Sequence, residues 1–263
     1  MSKNIFLHFS GLLSIFLLAA FLQLHGMPAP LPVPPPGLHE TLEQVEALNA
    51  SQEYERSLDL LLREFQKNPN NISLKTSLNK TFALYLYDQV SKNKKRIDVN
   101  IHDVQAYLNL ARAYATGGDY FRAMEVLTNG FMENPNSTSL LVGIGTLELK
   151  EKRENEAFSI FRKVLELDEQ NAPAHNNIGF LLSRKENEAR YNLTEALHHA
   201  KKAVALEPTN PNFLDTLADI QFQQGHPTQA IELIQQAIQL APQEDYFKNQ
   251  LLRFQTAAQS VAQ

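Results

Sequence analysis

The sequence predicts an all-helical protein, and three observations carry that prediction. Glycine is scarce, at 10 of 263 residues, and the charged residues, 20% of the chain, fall at helical spacing. Prolines that end apolar helical runs recur along the chain: Pro69, Pro135, Pro208 and Pro242, with Glu169 in the same context. The intervals are 66, 34, 39 and 34 residues, the mark of an internal repeat. Turn and cap signals, such as Gly117-Gly118-Asp119, Gly225-His226-Pro227, Asn136-Ser137 and Asp103, separate the runs.

Composition excludes several classes. Hydrophobic residues make up 43%, too many for a mostly disordered chain. The formal net charge of −5 argues against a basic nucleic-acid binder, whose phosphate contacts need clustered Lys and Arg. With no cysteine there is no disulfide, cysteine nucleophile, thiolate zinc site or lipidated cysteine anchor.

The first element is apolar. Ile5 to Leu24 (IFLHFSGLLSIFLLAAFLQL) would span about 30 Å as a helix, one hydrocarbon core. The Lys3 flank would keep the N-terminus in the cytoplasm and send the rest across. Two readings of residues 1–26 stay open, an uncleaved signal anchor and a cleaved signal peptide. The stretch is longer than the usual signal core, and neither Leu18-Ala19-Ala20 nor Leu24-His25-Gly26 is a clean exit site. The expected location is the cell membrane, single-pass, with the repeats on the outer or periplasmic side; the alternative is a secreted or periplasmic protein.

Residues 27–37 (MPAPLPVPPPG) hold six prolines. They cannot form a helix or a sheet ladder and favour an extended polyproline II spacer. Binding of a proline-recognition domain is the alternative use.

Four runs then share one spacing. The first helix of one unit reads Tyr107-x-x-Leu110-Ala111-x-x-Tyr114, followed by Ala123, Leu127 and Pro135. The next units give Leu141, Ile144, Gly145, Ala157 and Phe161; then His175, Ile178, Gly179, Leu182, Ala196, Ala200 and Pro208; then Leu214, Leu217, Ala218, Ala230, Ile234 and Pro242. Small residues belong where two helices cross closely, and the larger apolar ones form one face of each helix. Five extra residues fall around Arg184–Asn192 and lengthen one turn.

This pattern resembles the tetratricopeptide repeat (TPR) family, across residues 104–242 and more weakly across 38–71, where Tyr54, Ser57, Leu61 and Pro69 match. The resemblance implies a right-handed α-solenoid of about ten to twelve helices. Its units would be 38–71 (degenerate), 104–137, 138–171, 172–210 with the insertion, and 211–244. Residues 72–103 depart from the pattern: a long helix to about Val90, then a Lys/Arg-rich loop at 92–96. Residues 245–259 would form a capping helix, which a terminal repeat needs. Units 172–210 and 211–244 also resemble a C-terminal pair found in exported or membrane-tethered bacterial TPR proteins.

No catalytic constellation stands out. Glu195-x-x-His198 is a lone unit, where carboxylate metal bundles use two. Gly143-Ile144-Gly145 follows no strand, so it is not a phosphate loop. No catalytic residue, cofactor or metal is expected. Family geometry places a partner groove on the first helix of each unit, and the candidate groove residues are Arg112, Lys150, Asn176, Phe180, Arg184, Asp215, Asp219 and Phe222. Their charge changes sign along the chain, which would orient a bound segment with its acidic end toward the earlier repeats. The expected function is a non-enzymatic protein–protein interaction scaffold, membrane-tethered or exported, in envelope assembly or secretion. The alternatives are an enzyme or ligand-modifying protein with an unrecognised site, and a co-chaperone that binds chaperone tails; the patterned Lys and Asn of that subgroup are missing.

Overall fold

The computed structural model describes residues 36–261. The predicted apolar segment and nearly all of the proline linker lie outside the described residues. Among the described residues there are twelve helices and no strand. They are α1 (Pro36–Ala50), α2 (Tyr54–Lys67), α3 (Ile72–Val99), α4 (Val104–Thr116), α5 (Tyr120–Glu133), α6 (Thr138–Lys150), α7 (Glu154–Leu167), α8 (Ala172–Leu182), α9 (Leu193–Leu206), α10 (Pro211–Gln223), α11 (Pro227–Leu240) and α12 (Asp245–Val261). No helix among the described residues is long and apolar enough to cross a membrane.

The helices divide into two compact units, α1–α5 and α6–α12. Within each, consecutive helices pack on one another through short connections, the pattern of stacked helix pairs. Helix α8 also touches α10, as the first helices of neighbouring repeats do.

Side-chain caps set many of the helix starts. Asn71, Asp103, Ser137, Asn171, Asn192 and Asn210 each accept a backbone N–H from the first turn they precede. The turn inside a pair repeats one backbone solution: Gln52, Gly118, Lys152 and Gly225 all have positive φ, between 59° and 84°. Gly118 and Gly225 suit that conformation; Gln52 and Lys152 adopt it against the steric preference of a side chain.

The core follows the repeat. Ala123, Ala157, Ala196 and Ala230, the predicted crossing points, are all fully buried. Gly145 allows closer approach still, because a Cβ there would sit 2.8 Å from the Phe161 ring. At Gly179 a Cβ would meet the backbone of Ala196 at 3.1 Å and of Ala200 at 3.2 Å.

Two expectations need correction. The loop expected at Lys92–Arg96 is helical: α3 runs unbroken from Ile72 to Val99. Lys92 pairs with Asp88 four residues earlier, and Arg96 reaches forward to Asp103, so the basic run is held on the helix surface. The linker boundary also shifts, because Pro36 and Gly37 already belong to α1. Pro36 opens the helix, where its missing N–H costs nothing.

Candidate functional site

The repeat pattern puts seven of the eight candidate residues on the first helices α6, α8 and α10 of the second unit or just past their ends; Arg112 lies on α4 of the first. Lys150 ends α6 and is exposed. Arg184 lies just past α8, and it is engaged: its Nε is 3.1 Å from Glu154 and 3.7 Å from Glu186. Its guanidinium also stands 5.5 Å over the ring of Phe180, which is 38% exposed.

On α10 the candidates meet the terminal helix. Tyr246 donates its hydroxyl to Asp215 at 3.1 Å and accepts from Gln250 at 2.6 Å. Arg253 pairs with Asp219, which also accepts from Gln223 at 2.8 Å. Phe222 packs on Phe254 with ring centroids 4.8 Å apart, and the Arg253 guanidinium lies over both rings. Sequence reasoning treated Asp215, Asp219 and Phe222 as an open groove end. The structure gives each a partner in α12. The clue was available in the phase of the repeat, since Tyr246 and Arg253 occupy in α12 the positions that Asn212 and Asp219 occupy in α10.

Three polar atoms of this face remain without a partner. Asn176 Oδ1, Asp215 Oδ1 and Gln223 Oε1 are buried and accept no hydrogen bond. Burial pushes the Asp215 carboxyl up to about 6, against the opposing pull of the Tyr246 hydroxyl. An unsatisfied buried acceptor costs about 1–3 kcal/mol.

A second polar cluster was missed. His175 and His199 face each other Nδ1 to Nδ1 at 2.7 Å. His175 Nε2 donates to the Glu169 carbonyl at 3.0 Å, since a carbonyl only accepts. His175 Nδ1 is then the acceptor and His199 Nδ1 the donor. Among the described residues no three His, Asp or Glu side chains gather to hold a metal ion.

Family models for the tetratricopeptide repeat match residues 138–171 and 188–251. These two segments are tetratricopeptide repeats. It is 26% identical over 185 residues to TPR repeat-containing protein PA4667 of Pseudomonas aeruginosa, an alignment covering 68% of this chain and 31% of that protein. Among solved structures, the fold is similar to that in the APC/C hetero-tetramer Cut9–Hcn1, with a TM-score of 0.56 and 14% identity over 83% of this chain and 43% of that one. It is also similar to Pseudomonas aeruginosa pilF, with a TM-score of 0.51 and 21% identity over 60% of this chain and 69% of that one. The fold is that of repeats that serve protein–protein interaction, and the chain spans less than a third of the length of its Pseudomonas relative.

Proposed function

We propose that this TPR protein is non-enzymatic and holds a peptide or protein segment against the first-helix face of repeats 172–210 and 211–244. One observation carries the reading: the Asn176 Oδ1, Asp215 Oδ1 and Gln223 Oε1 atoms are buried acceptors with no internal donor, although Asp215 accepts from Tyr246 through its other oxygen. A peptide backbone supplies N–H donors at regular intervals. Phe180, exposed beside them in the sequence phase, supplies an apolar anchor. Arg184 and Asp219 already hold internal partners, so the acceptors, not the alternation of charge, set the orientation of the bound segment.

Photo-crosslinking from position 180 in intact cells tests the site. The expected result is a discrete partner that is lost with Asn176→Ala and Asp215→Ala. Crosslinks unchanged by both substitutions would move the interface elsewhere.

In the same reading, the apolar residues 5–24 hold the repeats at the outer or periplasmic side of the cell membrane, or direct their release there, in service of envelope assembly or secretion. The composition of that segment supports the reading. An alkaline phosphatase fusion after residue 40 should be active, and an inactive one contradicts export. A mature chain starting near residue 21 or 27 would replace the anchor with a cleaved signal.

A further inference from the structure

Away from the first-helix face, a cleft of about 250 Å³ opens among α7, α8 and α9. It is smaller than the roughly 300–1,000 Å³ of sites that enclose whole ligands, and matches a single large side chain. Phe158, Leu165 and Ile178 give it apolar walls. One face of Phe158 is already covered by Arg190, at 5.2 Å, which holds the ring in place.

The polar end of the cleft has a defined hydrogen-bonding character. The chain from the Glu169 carbonyl through His175 fixes the proton of His199 on Nδ1. His199 Nε2 therefore carries a lone pair. Glu195 stands 4.0 Å from it, too far for a hydrogen bond, and its other oxygen accepts from Asn192 at 3.1 Å. Two acceptors face each other with no proton between them.

This arrangement selects the occupant by exclusion. A carboxylate or phosphate would meet Glu195, Glu166 and the His199 lone pair. An ammonium would be drawn to the carboxylates but repelled by Arg162 in the cleft wall and Lys202 nearby, and a compact point charge leaves the apolar walls unfilled; burial first, then His175 and these cations, hold the His199 imidazole down to about 4. A neutral donor on an apolar body remains. Hydroxyls, phenols and amides also bring acceptor lone pairs; indole alone among neutral side chains is a large apolar body with one donor and no acceptor. The Arg162 guanidinium can stack on its face.

We propose that this cleft is a second binding site, which takes a tryptophan side chain of a partner protein with its indole N–H donated to His199 Nε2. The chain itself contains no tryptophan, so the occupant comes from another molecule.

The same absence makes the test direct. N-acetyl-tryptophanamide titrated with the protein, excited to the red of the tyrosines, should show a saturable blue shift in emission. The histidine ring signals of His199 should shift with it. The N1-methylated probe, which lacks the donor, should bind about three- to tenfold more weakly. Glu195→Gln, on an exposed side chain, should weaken binding similarly, because its amide can itself donate to Nε2. Absence of saturation, equal binding of the methylated probe, or displacement by n-butylammonium would each overturn the proposal. Resonance shifts confined to Phe180 and Asn176 would also overturn it while leaving the first-helix site standing.

Discussion

His175 and His199 are joined Nδ1 to Nδ1 at 2.7 Å, which permits no more than one proton between the two facing nitrogens. Burial is the main cause holding both imidazoles below their usual value of 6.5, His199 down to about 4. The unfolded chain therefore binds more protons than the folded one between those values. The contribution of this pair is complete above about pH 6.5 and is lost as the pH drops toward 4. Relative to His199→Gln, the wild type should lose urea-midpoint stability as the pH falls across this range, which isolates the histidine from the opposing effect of Asp215.

Asp215 has the opposite sign. Its carboxyl is raised from 3.8 to about 6, so its ionisation opposes folding, and the stability it contributes in acid is lost as the pH rises through 6. Asp215→Asn keeps an acceptor for Tyr246 and carries no charge. The variant should be more stable than the wild type at pH 7.5, with the gain vanishing near pH 4. A gain independent of pH would show that ionisation is not its cause.

The helix crossings are intolerant of added volume, to a degree set by what each would strike. Gly179→Ala meets backbone, which cannot step aside, and Gly145→Ala meets the buried Phe161 ring. Each should cost about 1–3 kcal/mol in chemical denaturation, as should Leu at Ala123, Ala157, Ala196 or Ala230.

Helix α12 completes the last repeat. Phe247 and Phe254 are buried in one cluster with Leu214, Ala218, Ala230, Ile234, Ala237 and Ala241. Phe254→Ala should cost about 3–5 kcal/mol. Removing the chain after residue 244 should expose the cluster and raise binding of an apolar dye.

Lys152 sits at φ 61°, where Gly118 and Gly225 stand in the equivalent turns. Lys152→Gly should relieve the strain and, after the entropic cost of glycine, leave stability unchanged or raised by up to about 1 kcal/mol. A clear loss in thermal denaturation would mean that the Lys152 side chain contributes contacts that outweigh its backbone strain.

Much of the fold is determined by the sequence alone. The spacing of Ala123, Ala157, Ala196 and Ala230, with capping Asn and Asp residues ahead of the helices, specifies which residues cross and where helices begin, because these are local and periodic properties. The basic run at Lys92–Arg96 misled for the same reason: charge density reads as a loop until its partners are known, and those were Asp88 and Asp103. Which candidates are open was decided only by tertiary structure. Asp219 and Phe222 look identical in the sequence whether or not Arg253 and Phe254 lie against them. The His175–His199 pair, 24 residues apart, exists only because α8 and α9 pack face to face. Repeat periodicity fixes a residue's place on its own helix; which groups it meets depends on side chains delivered from other helices, and burial then decides their charge and the direction of their protons.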